Sequence, residues 1–204
     1  LNAEIERIIK MGIKVRLDYK VEDVLKEKVD GKFDAVYLGI GAQLINVDAI
    51  KNDNTVWATD AFSFFREITN DQKKYANKKV VVYGGGKLAM YIARIIKRFN
   101  SEAIVLFPGD KKLMPAYDYE TEDAMAEGVD VNLLKSISSI KKNTITLEKM
   151  KIEKGKASGT NEFESIEADV LIIANQQECD SGFLHSLSGL VFNVDGTIKI
   201  DSQR

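Results

Sequence analysis

Val80-Val-Val-Tyr-Gly-Gly-Gly-Lys-Leu-Ala-Met90 is the stretch that decides the fold. Lys79 to Tyr83 is a short, nearly all-apolar run. Such a run reads as a strand buried on both faces, the pattern of a parallel sheet. Three glycines follow, and helical spacing then runs from about Lys87 to Phe99. Gly84, Gly86 and Ala89 fit G-x-G-x-x-A. In that pattern the first glycine permits a tight turn out of the strand. The second lets backbone approach a pyrophosphate, and the small third residue lets the helix pack close to the sheet. The helix N-terminus offers free N–H groups and a partial positive charge to phosphates. The turn predicts an α/β fold with a Rossmann-like parallel sheet. The alternative is a tight strand–helix turn that holds no ligand.

The pattern continues on both sides. Ala103 to Phe107 reads as the next strand, stopped by Pro108 and Gly109. Tyr119 to Glu127 is helical up to Gly128, and Val129 to Leu134 is another strand. This alternation predicts βαβ units. Residues 136–166 read as strand pieces with polar turns, a β-rich insertion before a last buried strand at Ala168 to Ala174. Upstream, Ile5, Ile8 and Ile9 set a helix over Asn2 to Met11, ended by Gly12. Ile13 to Leu17 alternates like a strand, and Phe33 to Ile40 reads as a buried strand leading to Gly41. Residues 43–58 read as a connection, after which Asp60 caps a helix from Ala61 to about Ile68.

Composition narrows the chemistry. The chain has 204 residues, 45% hydrophobic and 29% charged, a globular mix with enough length for a core. Lys and Arg total 29 against 31 acids, so no electrostatic case exists for nucleic acid or an anionic membrane. One cysteine, Cys179, forms no internal disulfide and holds no iron–sulfur cluster alone. One histidine, His185, leaves no metal site with two or three His ligands. No apolar run spans a membrane and no signal peptide opens the chain, so a cytoplasmic location is expected. The chain starts at Leu1 and stops just after a strand-like run, so a fragment of a longer polypeptide is expected.

Several residues have plain structural readings. Cys179 lacks a C-x-x-C partner and reads as an ordinary thiol, and His185 as a surface or capping residue. Glu120 and Glu127 lie seven apart and read as helix-surface acids. Phe62, Phe64 and Phe65 read as packing, and the Lys73-Lys74, Lys78-Lys79 and Lys141-Lys142 pairs as solvated turns. In a sheet of this type the residue ending the second strand chooses the nucleotide. An acid there holds a ribose 2′-OH and an arginine holds a 2′-phosphate. Here the strand ends in Phe107-Pro108-Gly109, with neither signal. Lys111 or Lys112 offers a point charge just beyond, or belongs to a solvated loop.

Four pieces together resemble the NAD(P)H-dependent flavoprotein family of the glutamate synthase small subunit. That family also contains the N-terminal part of dihydropyrimidine dehydrogenase and a flavoprotein subunit assigned to selenate reduction. Phe33-Asp-Ala-Val-Tyr-Leu-Gly-Ile-Gly-Ala42 resembles y-D-A-V-x-x-A-x-G-A, and residues 84–90 resemble G-G-G-N-T-A-M. Met114-Pro-Ala116, Glu120, Ala124 and Glu127-Gly-Val129 resemble M-P-A-x-x-x-E-x-x-x-A-x-x-E-G-V. Glu167 to Ala174 resembles the strand before A-x-G-Q.

The resemblance implies an FAD domain interrupted by an NAD(P)H domain. Residues 1–45 would be a partial flank of the FAD domain, 46–177 the NAD(P)H-binding domain, and 178–204 the start of the return. It implies NADPH or NADH as cofactor, bound by Gly84, Gly85, Gly86, Lys87, Leu88 and Ala89, with crossings at Gly41 and Ala174. It implies FAD in the full-length parent and iron–sulfur clusters elsewhere in the parent or in a partner redox subunit. Hydride would pass from NAD(P)H to FAD and on to those centres, making the parent an oxidoreductase and the fragment alone inactive. No catalytic side chain and no metal ligand is implied in this chain.

The sequence departs from the family at ligand-facing positions. Lys87-Leu88 replaces Asn-Thr, Tyr91 replaces Asp, and Phe107-Pro108-Gly109 replaces Tyr-Arg-Arg. Ala174-Asn175-Gln176-Gln177 replaces A-x-G-Q. These changes support a second expectation: a degenerate, non-binding nucleotide domain kept as a scaffold or subunit-interaction module.

Overall fold

The computed structural model describes residues 2–42, 57–175 and 177–200. The chain divides into two compact units, Leu1–Gly41 with Cys179–Arg204, and Ala42–Glu178.

In the first unit, α1 (Asn2–Lys10) forms where the isoleucine spacing predicts it. The amides of Met11 and Gly12 close it by donating to the Ile8 and Ile9 carbonyls, each at 3.0 Å. A second helix, α2 (Val24–Asp30), is unannounced by periodicity because only Val24 is buried. Its signal is the Asp23 cap, whose carboxylate accepts from the Lys26 amide at 2.9 Å. Two expected strands are absent. Neither Ile13 to Leu17 nor Phe33 to Ile40 is hydrogen-bonded into a sheet. Phe33 and Tyr37 are 59% and 94% exposed, so the second stretch is not buried either. A strand needs a neighbour to satisfy its N–H and C=O groups, and no neighbour lies among the described residues. Within residues 177–200 a 3₁₀ turn, Gly182–Leu184, is closed by His185. The His185 ring stands 4.5 Å from that of Phe192.

The second unit starts with β1 (Trp57–Asp60), which the sequence reading left inside a connection. The Asp60 side chain then caps α3 (Ala61–Asn70), accepting from the Phe62 and Ser63 amides at 2.8 and 3.0 Å. The decisive stretch gives β2 (Lys79–Tyr83) and α4 (Lys87–Arg98). β3 (Glu102–Phe107), α5 (Asp118–Ala126) and β4 (Asp130–Leu133) complete the alternation. The β-rich segment is β5 (Lys135–Lys141), β6 (Thr144–Glu153) and β7 (Lys156–Glu167), followed by β8 (Val170–Ile173).

Five strands form one parallel sheet in the order β1-β8-β2-β3-β4. β5, β6 and β7 form a separate antiparallel sheet. The alternation of side chains along β2 explains why both faces need cover. Val80 and Val82 pack with Phe64, Ile92 and Ile96 on the helix side. Val81 packs with Ile140, Ile145 and Leu147 of the antiparallel sheet on the other. The insertion therefore supplies the second layer that a buried parallel sheet demands.

Candidate functional site

The C-terminal ends of β2, β3 and β8 meet at the glycine turn. The Gly84 amide donates to the Leu106 carbonyl at 2.9 Å, and the Ala174 amide donates to the Tyr83 carbonyl at 2.8 Å. Gly84 has φ of 153°, and a Cβ there would run into the Ala174 carbonyl. Only glycine allows that approach of two strand ends. Gly86 differs. It is the N-cap of α4 with φ of −92° and ψ of 173°, and a Cβ there would meet nothing within 4 Å. Its glycine is not required by the fold and leaves open space above the turn.

A cavity of about 550 Å³ opens there, within the usual size of small-molecule sites. Gly84, Gly85, Gly86, Lys87, Leu88 and Ala174 all line it. Ala89 is fully buried and packs α4 against the sheet. Gly41 belongs to the first unit, with φ of 66°. Phe107, Pro108, Asn175 and Gln177, ligand-facing by the family resemblance, line it too, and so do Tyr83 and Pro115, which sequence reasoning did not assign to the wall. Their signal is topological, since residues just past the ends of adjacent parallel strands share one rim. Gln176, the expected replacement of a family glycine, lies outside the described residues.

The electrostatics favour an anion. No side chain caps α4, so its first N–H groups are not taken by a neighbouring carboxylate or hydroxyl. The helix dipole adds a partial positive charge at the same place. Lys87 is the first residue of α4, and its exposed ammonium stands 3.7 Å from the Glu120 carboxylate. Glu120 is 7% exposed, which corrects its reading as a surface acid. Its other oxygen accepts from the Tyr117 amide at 3.0 Å and caps the start of α5 from the third position of the helix. Glu127 does different work. The Arg94 guanidinium donates to it from Nε at 2.8 Å, and Arg98 lies 3.5 Å away. The Arg94 hydrogen bond holds the Glu127 carboxyl below the usual range. Among the described residues no cluster of His, Cys, Asp or Glu could hold a metal, and no helix is long and apolar enough to cross a membrane.

Over residues 1–204 the sequence matches the pyridine nucleotide-disulphide oxidoreductase family. The chain belongs to that family. Among curated proteins, the NADPH-Fe(3+) oxidoreductase subunit beta of Geobacter sulfurreducens is 31% identical over 134 residues. That match covers 63% of this chain and 20% of the relative. The NADP(+)-dependent formate dehydrogenase subunit beta of Moorella thermoacetica is 26% identical, covering 98% of this chain and 31% of the relative. A Cereibacter sphaeroides protein named after the glutamate synthase [NADPH] small chain is 26% identical, covering 97% and 53%. The chain thus spans between a fifth and about half of the length of these curated relatives. Thioredoxin reductase of Lactococcus lactis shares the fold, with a TM-score of 0.60 at 17% identity over 79% of this chain and 50% of that one. Membership in the pyridine nucleotide-disulphide oxidoreductase family agrees with the flavoprotein resemblance carried by the glycine turn and the Met114-to-Val129 segment.

Proposed function

We propose that the second unit is the NAD(P)H-binding domain of a flavin-dependent oxidoreductase. The observation that carries this reading is the uncapped N-terminus of α4, opening with Gly86 onto a cavity of about 550 Å³. The residues present fit a dinucleotide. Gly86 leaves room for a pyrophosphate, to which the Lys87 and Leu88 amides would donate and whose charge the Lys87 ammonium would balance. Glu120 steadies Lys87 from beneath. Ala174 and Asn175 wall the cavity from the end of β8. Bound NADPH or NADH would supply a hydride, and the chain's own task is to orient it. No residue of this chain is assigned to FAD, which the reading places in the rest of the full-length protein, with residues 1–45 and 178–204 as flanks. Onward transfer to iron–sulfur clusters or a partner redox subunit belongs to the same proposal.

Calorimetric titration of the full-length, flavin-loaded protein with NADH and NADPH tests it. Micromolar binding of either supports the reading. Absence of heat from both up to millimolar nucleotide would replace it with the scaffold reading, which the Phe107-Pro108-Gly109 departure favours.

A further inference from the structure

We propose that this site selects NADH over NADPH, because the wall that reads the adenosine ribose is an aromatic ring and a proline instead of a cation. The inference rests on the nucleotide reading of the cavity. In parallel sheets of this kind the second strand ends beside the ribose, where an arginine is the usual partner of a 2′-phosphate.

Here the second strand is β3, and backbone hydrogen bonding fixes its end. Tyr83 pairs in register with Leu106, and the Gly84 amide donates to Leu106. Phe107 is therefore level with the glycine turn by main-chain register, independent of any rotamer. Its ring is also held. A Cβ on Gly85 would come within 2.5 Å of Phe107 Cδ2, and one on Gly109 within 2.6 Å of Cε1. The ring is wedged between two glycine backbones and keeps its place in the wall, with Pro108 beside it.

The cations nearby in sequence stand on the loop beyond the wall or point to what both nucleotides share, and neither Lys111 nor Lys112 lines the cavity. Lys111 Nζ is 3.2 Å from the Asp118 carboxylate. Asp110 turns its carboxylate onto the Lys112 and Leu113 amides, each at 3.1 Å, and so brings negative charge to the same loop. From Phe107 to Glu120 the chain carries two lysines against three acids. Lys87 sits at the start of α4, where the pyrophosphate belongs, and does not discriminate. A phosphate monoester with close to two negative charges would lose water against this wall and, among the described residues that line the cavity, meet no cation other than Lys87. The 2′-OH of NADH also lacks its usual acid here, but it is neutral and loses far less on leaving water than a phosphate does.

The test is calorimetric titration of the full-length, flavin-loaded protein, wild type and Pro108→Arg, with NADH and with NADPH. The wild type is expected to bind NADH about tenfold or more tighter than NADPH, the worth of one charge-assisted contact. Pro108→Arg is expected to tighten NADPH by about tenfold and leave NADH within about twofold. ADP-ribose against its 2′-phosphate, in the wild type alone, reads the same discrimination with no substitution to disturb the fold. Equal or tighter binding of the 2′-phosphorylated ligand overturns the inference and leaves the nucleotide reading standing. A preference that Pro108→Arg leaves untouched also overturns it, since the determinant is then elsewhere. Binding of none of the ligands overturns both.

Discussion

Two glycines in one turn carry opposite demands. Gly84 is required by the fold, because its φ of 153° and its contact with the Ala174 carbonyl leave no place for a side chain. Gly84→Ala is expected to lose about 3 kcal/mol of stability from backbone strain and overpacking together, measured by denaturant unfolding. Gly86 is free of that demand, with extended dihedrals suited to an N-cap and open space around it. Gly86→Ser is expected to gain a few tenths of a kcal/mol by capping α4. Its hydroxyl would occupy the amides meant for phosphate, so nucleotide affinity in the same protein should fall about tenfold. A variant that binds as tightly as the wild type would remove Gly86 from the site.

The elements show where sequence reading succeeds and where it stops. Asp60 is one success. Burial pushes its carboxyl up, but hydrogen bonds from Ser63 and Phe62 outweigh that and hold it below the ordinary value. A lowered carboxyl contributes stability that is present above about pH 4, its unfolded value, and fades as pH falls through the folded value. Asp60→Ala is expected to lose about 1 kcal/mol near neutrality and to flatten the acid limb of the stability curve, as followed by thermal unfolding between pH 7 and pH 3. β2, α4 and β3 were legible because their apolar runs are buried by their own neighbours in the chain, whereas α5 and β4 were legible from the Gly128 stop between them. Ile13 to Leu17 was misread because alternation reports a capacity to pair and says nothing of a partner, and Phe33 to Ile40 because an apolar stretch reports a capacity for burial and says nothing of what covers it. α2 was missed because a seven-residue helix shows its cap before its period. In the candidate site the glycine turn was legible as a motif. Phe107, Pro108 and Asn175 were legible as ligand-facing only through the family resemblance, and Tyr83 and Pro115 join the wall once the strand order sets them on one rim.

At the scale of the whole second unit, the two sheets and the helices make a layered core in which the antiparallel sheet is a structural part. Leu147 is 1% exposed and packs with Val81, Ile104 and Leu171 of the parallel sheet. Leu147→Ala is expected to cost about 3 kcal/mol by denaturant unfolding, since the cavity left is enclosed on both sides. A cost below about 1 kcal/mol would mean that the sheet is a loosely attached appendage. The position of β8 adds a consequence in time. It lies between β1 and β2 although Val170 follows Trp57 by more than a hundred residues. During synthesis β2, α4, β3, α5 and β4 can associate as soon as they emerge, whereas β1 waits for a neighbour that the ribosome has yet to make. The Ala174 rim is among the last parts of this unit to be synthesised, so a nascent chain should become able to retain nucleotide only after it has passed residue 174.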